Sequence, residues 1–175
     1  MDQNENTVEL SAVETGNGDR AGKYLTFELN QTEFGIEILK VVEILKMVEI
    51  TQVPMWPDFA SGTINLRGRV IPVVDLRQKF GLPGIEATEK TCTVVVELCD
   101  DQIGIVVEAV NEVREINQEN IADSPDIGGT VNSDFILGMG KTDTNTILLL
   151  NLEKILIGGE MGSLLETSQE PSLSV

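Results

Sequence analysis

The chain has 175 residues, 41% of them apolar and only 4% aromatic, with 29 acidic side chains, 12 basic ones and no histidine. That length fits one domain or two very small modules, filled by Val, Ile and Leu, a composition that suits strands. A formal net charge of −17 argues against nucleic acid and anionic membrane as partners, since both need a clustered basic face. Missing histidine excludes Ser-His, Cys-His and His-metal chemistry.

Residues 1–22 carry five acids and one base and predict a disordered acidic tail. The start MDQNENTVEL has no basic n-region or apolar h-region, so no signal peptide is expected. Tyr24 to Leu29 alternates with Leu25, Phe27 and Leu29 on one face, which predicts a strand. Asn30-Gln31-Thr32 turns it, and Glu33 to Ile38 returns as a hairpin. Pro54, Trp56 and Pro57 break the chain before a short helical turn expected near Asp58–Ser61. Thr63–Leu66 and Val70–Leu76 form a second hairpin around Arg67-Gly68. Pro72 lacks a donor, so its strand is expected to be edge-like or bulged there. Asp75, at the strand end, is expected to pair locally with Arg77 or a backbone amide. Residues 83–91, PGIEATEKT, read as a connector. Cys92 and Cys99, spaced C-x6-C, fit neither a redox nor a zinc pattern and read as two buried free thiols in a reducing cytosol. Beyond them, Gly128-Gly129 and residues 138–145 supply turns, and Glu153–Leu156, extended toward Leu165, reads as a terminal helix before a flexible tail over 160–175.

The chain contains itself twice. A shift of 69 aligns FELNQTEFGIEILKVVEI (27–44) with VELCDDQIGIVVEAVNEV (96–113), matching Gly35 with Gly104 and Val41 with Val110. A shift of 76 aligns VIPVVDLRQKF (70–80) with TILLLNLEKIL (146–156), matching Asp75 with Asn151. The order A-B-A′-B′ means two copies of one small module, expected as two antiparallel barrels packed side by side. The paired glycines are expected to mark a bulge or a sharp bend.

No catalytic constellation emerges. Gly140-Lys141-Thr142 resembles the end of a phosphate loop, but its first glycine would fall at Phe135, and a polar hairpin turn is the better reading. Asp100-Asp101 and Asp123-Ser124-Pro125-Asp126 lack the spacing of a calcium loop. No metal, cofactor or catalytic residue is assigned. The sharpest feature is NLRG, Asn65 to Gly68. Gly68 supplies the positive φ of a turn. Arg67 either lays its stem on the barrel or presents its fork to a protein partner.

GIEILKVVEI (35–44), GTINLRGRVIPVVDLRQKFG (62–81), IGIVVEAVNEV (103–113) and ILLLNLEKIL (147–156) together resemble the CheW family of bacterial chemotaxis coupling proteins. The resemblance runs from about Lys23 to Gly159. It implies a mostly β fold of two packed five-stranded SH3-like β-barrels with short helices and a C-terminal helix. The subdomains would span roughly 23–85 and 90–159, with exchange of a terminal strand left open. It implies a non-enzymatic cytoplasmic adaptor, recruited to membrane-associated arrays, that links chemoreceptor tips to the regulatory domain of the histidine kinase CheA. By position, Val41, Glu43 and Ile127 match kinase-binding sites. Gly62, Arg67 with Gly68, and Val113 match receptor-coupling sites, with the receptor tip docked in the groove between the barrels. Rings of alternating CheA and CheW would close through the Ile127 face. There the chain departs from its relatives, with Ile127 for an aromatic residue and Ala122 where some carry arginine. An adaptor for another chemosensory pathway, pilus motility or development, fits the same residues. A small-molecule module using the groove is the rival from another class.

Overall fold

The computed structural model describes residues 20–46, 48–123 and 133–156. Among them the strands are β1 (Gly22–Leu29), β2 (Thr32–Glu37), β3 (Val41–Leu45), β4 (Ala60–Leu66), β5 (Arg69–Asp75), β6 (Cys92–Leu98), β7 (Asp101–Val107), β8 (Ala109–Ile116), β9 (Ile121–Ala122), β10 (Ile136–Lys141) and β11 (Thr146–Leu150). Short helices α1 (Leu76–Lys79) and α2 (Leu152–Leu156) follow β5 and β11. The strands form a six-stranded sheet, β8-β1-β2-β11-β10-β9, and a five-stranded sheet, β3-β6-β7-β5-β4.

The sheets do not follow the two sequence copies. β1 and β2 of the first copy pair with β8 and β11 of the second, while β3 and β5 of the first pair with β6 and β7 of the second and β4 joins through β5. The division into 23–85 and 90–159 therefore cuts across both sheets. The repeat survives at atomic detail. Gly35 stands opposite Leu149 and Gly104 opposite Val73 in two equivalent parallel ladders. Asp75 N donates to Phe59 O at 2.8 Å, and Asn151 N donates to Phe135 O at 2.7 Å. Asn30-Gln31 and Cys99-Asp100 form matching two-residue turns in which all four residues have positive φ, the geometry that suits the twist of a hairpin.

A shared core lies between the sheets, with Leu25, Phe27, Leu29 and Phe34 from one and Val74, Val94, Val96 and Ile105 from the other. Each sheet also wraps a small core of its own: Tyr24, Ile116, Ile121, Ile147 and Leu149 in the first, and Ile64, Ile71, Val73 and Val95 in the second. This explains why β1 buries Tyr24 and Thr26 as well as its alternating apolar face.

Several expectations change. Gly35 and Gly104 sit in regular ladders, paired with Thr26 and Val95. They are small because a Cβ at Gly35 would lie 3.2 Å from Ile147 and Leu149 side chains, and one at Gly104 would lie 2.9 Å from Thr93 Cγ2. No helical turn forms at Asp58–Ser61: one bond, Ala60 N to Pro57 O at 2.9 Å, closes a turn, and Ala60 then pairs with Val74 in β4. Leu76 leaves the second hairpin to start α1, because the Asp75 carboxylate caps Arg77 N at 3.0 Å. Pro72 lies in an interior strand, yet its open side is free of ladder bonds, since the pairing of β5 with β7 begins at Val73. Gly138 and Gly140 belong to β10 rather than to a turn, and the turn is confined to Thr142–Asn145. Cys92 is buried as expected, but Cys99 is exposed at its hairpin tip. Gly128-Gly129, Ile127 and any extension of α2 toward Leu165 lie outside the described residues.

Candidate partner-binding surfaces

The β4–β5 hairpin turns through Arg67 (φ 53°) and Gly68 (φ 87°), joining Leu66 to Arg69 directly across the ladder. Asn65 Oδ1 accepts from Gly68 N at 2.9 Å and closes the turn. From this turn Arg67 meets Glu43 of β3, the strand at the other end of the five-stranded order. Arg67 Nη2 lies 2.9 Å from Glu43 Oε2 and 2.9 Å from Oε1. The Arg67 side chain stays 70% exposed, so the pair is a surface feature open to a partner.

Gly62 has a role of its own in this hairpin. Its φ is +145°, and a Cβ there would lie 2.1 Å from Thr51 O. The close approach lets Thr51 and Thr63 exchange backbone bonds of 2.8 Å each, which ties the segment after β3 to β4. Gly62 is buried and shapes the hairpin.

On β3 a register shift falls between Val41 and Glu43. Val41 packs on the shared core. The outward apolar residues are Val42 and Ile44, 44% and 42% exposed. Ile44 lines an open groove of about 680 Å³ together with Glu28, Lys46, Cys92, Ala109 and Val110. The groove spans both sheets, because Ile44 and Cys92 belong to the five-stranded sheet and Glu28, Ala109 and Val110 to the six-stranded one. Val113 stands further along β8 and is 49% exposed. Among the described residues no cluster of Cys, Asp or Glu is arranged to hold a metal ion, and no helix is long and apolar enough to cross a membrane.

A family model described as a CheW-like domain matches residues 23–158. The chain belongs to the CheW-like family. It is 35% identical over 153 residues to the chemotaxis protein CheW of Klebsiella aerogenes, covering 87% of this chain and 92% of that one. It is 30% identical over 138 residues to a probable chemotaxis protein CheW of Rhizobium etli, covering 79% and 88%. The crystal structure of the scaffolding protein TtCheW from Thermoanaerobacter tengcongensis superposes with a TM-score of 0.74 at 33% identity, covering 80% of this chain and 95% of that one. The chain is accordingly a chemotaxis adaptor of mostly β structure and not an enzyme.

The structure brings Glu43 and Arg67 into contact, places Gly62 and Gly68 in the same hairpin, and sets Val113 on the other sheet. Val42 and Ile44 were missed from sequence. The signal was present in the alternation of VVEIL, which the exposure pattern of β3 follows residue by residue.

Proposed function

We propose that the chain couples chemoreceptor cytoplasmic tips to the regulatory domain of CheA through two adjoining surfaces. Val41 and Glu43 on β3 serve the kinase. The groove between β3 and β8, with Val113 beyond it, receives the receptor's helical tip, a helix-in-groove mode with apolar anchors in Ile44 and Val110. The contact between Glu43 and Arg67 at 2.9 Å carries this reading. It joins a residue at a kinase-binding position to one at a receptor-coupling position, so either partner perturbs the other's residue. Each contact is small, with affinity near ~1 μM, and array multivalency supplies the rest. Ring closure through the Ile127 face and recruitment to membrane-associated arrays belong to the same proposal.

The test is a reconstitution of this protein, a CheA kinase and receptor tips in membranes, read by kinase phosphorylation. Wild type raises kinase activity and places it under ligand control. Glu43→Ala loses kinase binding, whereas Arg67→Ala binds but couples poorly. A wild type that binds neither partner overturns the proposal.

A further inference from the structure

The chain crosses between sheets at two equivalent places. β2 passes to β3 through a 3₁₀ turn, Ile38–Lys40, and β7 passes to β8 at Glu108. Each crossing is gripped by the short helix that follows the other copy's last strand. Arg77 of α1 donates from Nη1 to Glu108 Oε2 at 2.5 Å. Glu153 of α2, the residue equivalent to Arg77 under the shift of 76, accepts from Lys40 Nζ at 2.7 Å. The helix partners Arg77 and Glu153 are equivalent with their charges reversed, while the crossing residues they grip, Glu108 and Lys40, fall one position out of step under the shift of 69.

Glu108 is more than half of a pair. Its Oε2 also accepts from Asn30 N at 2.8 Å, and its backbone N donates to Glu28 O at 3.2 Å. It thus holds the β1–β2 turn of one sheet to a helix of the other. Arg77 Nε donates to Pro83 O at 2.8 Å and pins the connector as well. Lys40 also lies 3.6 Å from Glu37. Side chains that link two packed layers through charge-assisted bonds restrict how those layers slide or rotate. The groove draws its walls from both layers: Ala109 and Val110 directly follow Glu108, and Ile44 lies in β3, the strand that Lys40 leads into.

We propose that Arg77–Glu108 and Lys40–Glu153 are positioning contacts that fix the angle between the two sheets and so hold the groove at the width a receptor tip requires. The functional half of this inference rests on the groove reading above. The structural half does not. The kinase residues Val41 and Glu43 belong to β3 of the five-stranded sheet, and the six-stranded wall of the groove contributes none of them.

Pulsed electron spin resonance tests the structural half in the free, full-length protein. One spin label goes on the native Cys99, exposed on the five-stranded sheet, and the second on Glu115→Cys in β8 of the other, in a Cys92→Ser background so that the groove thiol does not react. The parent protein gives one narrow distance distribution. Glu153→Gln and Arg77→Met each broaden it, and the double variant broadens it further. Glu153→Gln alters a partly exposed side chain and keeps the test decisive if Arg77→Met fails to fold. In binding assays on the same variants, affinity for receptor tips falls about fivefold or more, the low end of ordinary coupling between sites, while affinity for the kinase regulatory domain is unchanged. Unchanged distances in a folded variant overturn the inference. Equal losses of both affinities also overturn it, since they signal general destabilisation. Broadened distances with intact receptor binding uphold the positioning role and overturn the groove reading instead.

Discussion

Arg67 occupies a position where an unbranched polar side chain is conformationally costly. Left-handed backbone costs about 1–2 kcal/mol for most residues, and Gly and Asn escape most of it. The hairpin would be better served by Asn-Gly, the preferred pair for a two-residue turn with both residues at positive φ. The Glu43 ion pair does not offset this strain, because exposed pairs contribute only ~0.2–1 kcal/mol. Arginine here is therefore retained for its reach. Arg67→Asn should raise unfolding free energy by about 1 kcal/mol in urea titrations, while reducing receptor-dependent kinase control in the reconstituted system. A variant that is less stable would show that the ion pair outweighs the turn. Gly62 makes the opposite case: its left-handed φ and its 2.1 Å approach to Thr51 O are explained by backbone packing alone.

At the scale of elements, the strand-end cap is the most informative. Burial raises the Asp75 carboxyl above its ordinary value of 3.8, against hydrogen bonds from Arg77 and Gln78 that lower it. The native state thus holds its proton more tightly than the unfolded chain does. For this group, stability is greatest below the ordinary carboxylate range and is lost as pH rises from about 3.8 through the raised native value. The second copy uses Asn151 at the equivalent position, where its Oδ1 accepts from Lys154 N at 3.2 Å. Asp75→Asn should therefore keep α1, change stability near neutrality by less than about 1 kcal/mol, and remove this component of the pH dependence. Paired thermal melts between pH 3.5 and 6 would show the variant losing less stability than the parent as pH rises. Parallel curves would place the carboxyl's titration elsewhere. The repeat, both first-copy hairpins and this cap were legible because each is a local pattern of turn residues and alternation. Three features were not. The bulge on β3 depends on how Glu43 meets β6, the packing at Gly35 and Gly104 on neighbours from the other copy, and the grip on Glu108 on a helix some thirty positions away. None of these leaves a mark in the spacing of residues along the chain.

For the whole molecule, the exchange of strands between copies has a direct consequence. A cut between Ile85 and Glu86, in the exposed connector, would separate the copies at one point in sequence but at every sheet in space. The first piece would hold β1–β2 without the flanking β8 and β11, and β3, β4 and β5 without the β6–β7 hairpin that joins them. Neither piece could bury the shared core, whose residues come from both. Small β modules already bury surface inefficiently, so each fragment alone should be unfolded by far-ultraviolet circular dichroism and show no cooperative melt. Mixed in equal amounts, the fragments should recover the spectrum of the intact chain. Recovery should be slow, because pairs such as Phe34 with Leu148 join residues far apart in sequence. Both fragments are acidic, so added salt should speed association by screening their repulsion. A cooperative melt in either fragment alone would mean that one sheet can close without strands from the other copy, and the exchange would then be an ornament of the fold rather than the source of its stability.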